Sequence, residues 1–181
     1  FYFPSSLGYF LSLFKLVFAD TTYGYLTIGY ILCLIITFLF IKLYGQVVGL
    51  FFAFLVISTR LFEGYAGSIV TMLKHINSGD AEPFAITIFF ICLYLFIYIK
   101  ENKNYNLNLL NFTFGFLSFI TISLRPNYLP TCLLLFLINV YFLNYKLTKK
   151  PIIYSTFGFS FILLIPLHNL YFGKKLIFLS S

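Results

Sequence analysis

The chain is short of charge. Only 9% of its 181 residues are Asp, Glu, Lys or Arg, against roughly 25% in a soluble domain. Five acids cannot supply the polar surface that a soluble domain of this size needs. Tryptophan is absent and methionine occurs once. The three cysteines, Cys33, Cys92 and Cys132, lie inside apolar runs without Cys-x-x-Cys spacing. That excludes a zinc ribbon and a disulfide framework and leaves them as small buried residues. The two histidines, His75 and His168, are far apart, and neither has a second His or Cys at ligand spacing.

What is present is hydrocarbon. Hydrophobic residues make up 61% of the chain, and the mean hydropathy is +0.96. Phe alone occurs 26 times and Tyr 15 times. So general an excess reads as compositional bias, and no aromatic patch is assigned from it. A spanning helix takes about 20 apolar residues, so the length accommodates five or six. We expect an all-α fold: a polytopic transmembrane helix bundle of about six spans plus a short interfacial helix, forming a single transmembrane domain. The spans are expected near 23–41, 47–62, 83–99, 107–124, 128–143 and 152–167. Residues 1–22 form the interfacial helix and a loop, because the apolar run after Gly8 is short and is broken by Lys15. The chain starts at Phe1 and stops at Ser181 without a leader pattern, and we expect it to be an internal piece of a longer protein.

The formal net charge is +7. The cations are scattered at the ends of apolar runs rather than gathered on one face, so no nucleic-acid partner is expected; the partner is the lipid bilayer. Alternating the spans sorts the charges into two groups. One holds Lys42, Lys100, Lys103, Lys146, Lys149 and Lys150 with Glu101. The other holds Lys15, Arg60, Lys74, Arg125, Lys174 and Lys175 with Asp20, Glu63, Asp80 and Glu82. The basic counts are equal, so loop character decides. The first loops are short and Lys-rich, as cytoplasmic loops are. The chemically varied second group is therefore assigned to the non-cytoplasmic face.

The most polar passage is Ser78-Gly79-Asp80-Ala81-Glu82-Pro83, directly before an apolar run. Its acids and proline fit a helix start, and acids beside a span also fit a site. Arg60 and Glu63, three apart, would share a helix face and could pair. Pro126 forces Arg125 away from helix, which predicts a tight turn between two spans. His168 and Asn169 fall in a closing polar loop, 168–175, that also holds Lys174. Asp80, Glu82, Arg125, His168, Asn169 and Lys174 would thus share one face. Carboxylates there suit acceptor hydroxyls or a metal, and cations suit a phosphate.

The order of these features resembles the GT-C superfamily of membrane glycosyltransferases, nearest to its protein O-mannosyltransferase and aminoarabinose transferase branch. Phe3-Pro4 with Leu7 to Phe18 is similar to a proline-led entrance and its short apolar helix. Glu82-Pro83-Phe84 is similar to the signature that opens a later span. Arg125-Pro126 and Pro166-Leu167-His168-Asn169-Leu170-Tyr171-Phe172-Gly173 follow in the expected order. The resemblance implies transfer of a sugar from a polyprenyl-phosphate donor to an acceptor on the non-cytoplasmic face, periplasmic in a bacterial inner membrane. It implies a catalytic acid in an outer loop upstream of residue 1. Glu82, Asp80, Arg125, His168, Asn169 and Lys174 would bind substrate. No cofactor is required, and a divalent metal is an option for the acids alone. The competing readings are a transporter or flippase, which calls for ionisable groups in mid-span, and a non-catalytic membrane scaffold.

This topology is directly checkable. In intact cells, a cysteine introduced by Asn127→Cys should react with a membrane-impermeant maleimide added outside. One introduced by Lys149→Cys should react only after the membrane is opened. The opposite pattern would reverse the assignment.

Overall fold

The computed structural model describes residues 12–13, 15–17, 22–58, 81–101, 107–145 and 149–174. All regular structure among them is helical. In chain order the helices are α1 (Thr22–Tyr44), α2 (Gln46–Ser58), α3 (Glu82–Glu101), α4 (Leu107–Leu124), α5 (Leu129–Tyr145), α6 (Lys149–Ser160) and α7 (Leu164–Gly173). Short 3-10 turns at Pro126–Tyr128 and Phe161–Leu163 join α4 to α5 and α6 to α7. Of the expected interfacial helix only 12–13 and 15–17 are described, and they are helical. The Arg60–Glu63 pair and His75 lie outside the described residues.

Among the described residues, two helical stretches are long and apolar enough to cross a membrane: Glu82–Glu101, and Lys150–Gly173 taken through its 3-10 turn. Four shorter apolar stretches accompany them, Gly29–Tyr44, Gln46–Leu55, Asn108–Leu124 and Pro126–Tyr141. Large apolar side chains stand exposed along these helices, among them Leu34 and Phe38 on α1 and Leu134, Leu137 and Tyr141 on α5.

The chain forms two compact units, Leu7–Phe90 and, apart from the first six residues, Ile91–Ser181, with α3 contributing to both. The first contains the α1–α2 hairpin. Gly45 makes its turn at φ +84°, a left-handed conformation that costs glycine little and other residues more. Its amide donates to the Ile41 carbonyl at 2.9 Å, and its carbonyl accepts from Gly49 at 2.8 Å, so the two helices are linked through one residue. Rings of Phe40, Tyr44 and Phe52 stack across the hairpin, and Phe90 meets Phe40 edge-on with centroids 5.0 Å apart.

In the second unit α4 and α6 are in backbone contact. A methyl group on Gly115 would fall on the Ser155 carbonyl oxygen and 2.8 Å from the Phe159 amide nitrogen. A methyl group on Gly158 would fall on the Phe112 carbonyl oxygen and 2.8 Å from the Phe116 amide nitrogen. Only hydrogen fits between the helices at either glycine. Around this crossing Phe112, Phe116 and Phe119 of α4 meet Phe157 of α6 and Phe161 of the following turn. Residue numbers rise together on both sides, so α4 and α6 are parallel, with α5 returning between them. Phe136 of α5 stacks on Phe159 at 4.6 Å. From the other side, α3 meets α4 through Phe96 and Phe114 and through the Cys92 sulfur, 3.9 Å from the Ser118 hydroxyl.

The final polar loop expected at 168–175 is largely helix. The helical path continues to Gly173, and Lys174 takes the left-handed conformation that ends it (φ 52°). From the sequence this span was expected to end at Leu167, just past Pro166. The 3-10 turn at Phe161–Leu163 restarts the ladder, so Pro166 falls in the first turn of α7, where a missing N–H costs nothing.

Alanine ordinarily favours a helix over glycine by up to about 1 kcal/mol. Here the sign should reverse. Gly115→Ala and Gly158→Ala should each destabilise the second unit by about 1–3 kcal/mol, as overpacking does, read as a lower unfolding midpoint in detergent. A midpoint that rises or stays unchanged would rule out the close crossing.

Candidate functional site

The residues singled out from the sequence fall in different places. Asp80 lies outside the described residues. Glu82 is the first residue of α3 and is half-buried. An acid in the first turn is favourable beside the helix dipole. Behind it the Ala85 amide donates to the Ala81 carbonyl at 2.9 Å, and the Thr87 hydroxyl donates to the Pro83 carbonyl at 2.7 Å. The second bond satisfies a buried hydroxyl at little expense to the helix. Glu82 belongs to the Leu7–Phe90 unit.

Arg125, His168, Asn169 and Lys174 all belong to the other unit. Arg125 sits between α4 and the turn at Pro126, in extended backbone (φ −143°, ψ 104°), as the residue before proline is driven to be. Its amide donates to the Thr121 carbonyl at 3.0 Å, and its carbonyl accepts from the Tyr128 amide at 3.1 Å. The backbone is thereby fixed while the half-buried side chain leaves the helix end, with Nε shut off from solvent. His168 and Asn169 are half-buried on α7. The imidazole packs against Phe172 one turn on, centroids 4.6 Å apart, and its Nδ1 is also shielded. Lys174 is exposed at the end of α7.

The parallel course of α4 and α6 brings three of these to one end. Phe119 and Phe161 mark a common level, with centroids 6.2 Å apart. Arg125 and His168 each lie about 10 Å further along by helical rise, and Asn169 follows His168. Lys174 lies beyond them. This end of the unit carries a guanidinium, an imidazole, an amide and an ammonium, a set of donors suited to an anion. Among the described residues no group of three or more His, Cys, Asp or Glu could hold a metal.

A second polar cluster lies deeper. Asn111 of α4, Asn139 of α5 and Ser155 of α6 are all fully buried. The Asn139 amide donates to the Asn111 side-chain oxygen at 2.9 Å and reaches the Ser155 hydroxyl at 3.4 Å. One side chain thus ties together three helices, immediately beside the Gly115–Gly158 crossing. None of these three was singled out from the sequence. The available signal was an amide isolated in the apolar run 132–143, since polar groups in spans turn toward partners.

No family model, no curated protein and no solved structure matches the chain.

Interhelical hydrogen bonds of this kind contribute about 0.6 kcal/mol on average and up to about 1.7. Asn139→Ala should lower stability within that range. In a double-mutant cycle with Asn111→Ala the two losses should not add, because either change removes the same bond. Strict additivity would show that the bond contributes nothing.

Proposed function

We propose that the chain is the membrane-embedded part of a GT-C-type glycosyltransferase, a bundle of about six spans with its active face outside the cytoplasm. What carries the reading is helical rise: counted on from the neighbouring Phe119 and Phe161 rings, Arg125 and His168 fall toward the same end of the second unit. Two further features support it. The exposed side chains of the apolar helices would find their solvent in lipid. Apart from Lys15, the described Glu, Lys and Arg residues lie within two residues of a helix end, while His168 lies within α7. A transporter with ionisable groups in mid-span would look different.

The chemistry follows from the leaving group. A polyprenyl-phosphate donor releases a phosphate, which is already a good leaving group and asks for positive charge more than for a strong acid. Arg125 would take two phosphate oxygens with its planar fork. Lys174 would act as a mobile point charge. His168 and Asn169 would hydrogen-bond the remaining phosphate or sugar oxygens. Glu82, with Asp80, would hold acceptor hydroxyls. The base that deprotonates the acceptor would come from outside this chain segment.

The test is sugar transfer from a labelled polyprenyl-phosphate donor in membranes containing the full-length protein. Removing an electrostatic donor from a transition state costs roughly 10²–10³ in rate, and Arg125→Ala should fall in that range. Arg125→Lys should recover only a small part, since an ammonium cannot reproduce the bidentate contact. Glu82→Gln should raise the acceptor KM. Unchanged transfer in Arg125→Ala would remove the basis of the assignment.

A further inference from the structure

At the opposite end of the second unit α4 and α6 leave a groove between them. It is lined by Asn108, Leu109 and Phe112 of α4 and by Tyr154 and Phe157 of α6, with a volume of about 400 Å³, within the range of small-molecule sites. Its origin is the glycine crossing: the helices touch at Gly115 and Gly158, and the groove opens below, toward both N-termini. Leu109, Tyr154 and Phe157 are exposed along it.

Two of its five lining residues, Asn108 and Tyr154, carry polar groups. Lys150, exposed at the start of α6, lies four residues before Tyr154 and seven before Phe157. That spacing puts a cation, a phenol and a phenyl ring along one helix face. Asn108 of α4 and Tyr154 of α6 both line the groove. Neither α4 nor α6 contains an acid, and Lys146 and Lys149 precede Lys150 in sequence. The remaining lining is Leu109, Phe112 and Phe157.

We infer that this groove binds an anionic phospholipid of the Lys-rich leaflet. The ammonium of Lys150 meets the phosphate, Asn108 and Tyr154 reach the glycerol and ester oxygens, and an acyl chain lies against Phe112 and Phe157. Basic pockets between spanning helices take anionic headgroups in this way, and the cytoplasmic leaflet supplies them. A zwitterionic lipid also brings a phosphate, but its own ammonium competes with Lys150 for that charge, so an anionic headgroup is preferred. The site rests on the membrane reading and is independent of the transferase proposal, whose Arg125, His168, Asn169 and Lys174 come from the other end of this unit.

The chain lacks tryptophan, so Tyr154→Trp places its only tryptophan, selectively excited over tyrosine, in the groove. The full chain would be reconstituted in phosphatidylcholine vesicles doped with either dibrominated phosphatidylglycerol or dibrominated phosphatidylcholine. Quenching of the Tyr154→Trp protein should favour the glycerol lipid, and adding Lys150→Gln should cut that preference about fivefold, the effect of one lysine near an anionic surface. A Leu134→Trp protein, with its reporter on the exposed face of α5, should show no preference. Equal preference at both positions would reduce the effect to diffuse surface charge and overturn the site. So would a Tyr154→Trp preference that survives Lys150→Gln. Absence of quenching by either lipid at both positions would overturn the membrane reading together with the site.

Discussion

The second unit depends on one contact, the approach of two backbones at Gly115 and Gly158. In water, burial of apolar side chains would hold α4 against α6. In lipid that force is weak, because the surroundings are as apolar as the side chains, and close packing has to replace it. Two glycines facing each other allow carbonyl and amide groups of the partner helix to come where a Cβ would otherwise stand. The Phe ladder on one flank and the Asn111–Asn139–Ser155 bonds then fix the register. Apolar packing permits neighbouring registers of similar energy. A buried amide does not, because sliding the helices leaves it unbonded.

Everything at the two ends of this unit follows from that register. The parallel course brings Arg125 and His168 toward one end, and the divergence below the crossing opens the groove at the other. The prolines serve the same geometry. Pro126 turns the chain and keeps Arg125 extended, while Pro166 is accommodated because a 3-10 turn precedes it. The two ends then differ in chemistry. One carries Arg, His and Asn close to shielded surroundings; the other carries the exposed Lys150 beside an aromatic groove.

Much of this was legible in the sequence, for reasons that can be named. Helix identity follows from unbroken apolar runs, and the turn at Arg125 follows from Pro126. The start of α3 at Glu82 follows from a polar passage ending in Glu-Pro. Three things were not legible. The helical path beyond Pro166 depends on the 3-10 turn before it, so His168 and Asn169 were expected in a loop and are on a helix. Gly115 and Gly158 sit in long Phe-rich runs, where a lone glycine carries no spacing signal until its partner helix is known. Asn139 reads as one polar residue among eleven apolar neighbours in the run 132–143, and pairing it with Asn111 requires the three-dimensional register. The site residues were found by type and position along the chain.

The parallel, glycine-mediated register of α4 against α6 is the central claim, and cysteine cross-linking tests it most directly. With Cys33, Cys92 and Cys132 replaced, the pair Phe119→Cys and Phe161→Cys should form a disulfide rapidly under mild oxidation, since the two rings are neighbours. The pair Phe119→Cys and Ile153→Cys should not, because Ile153 lies eight residues, about 12 Å, back along α6. Cross-linking of the second pair in place of the first would contradict the parallel arrangement and the placing of Arg125 and His168 toward one end that rests on it.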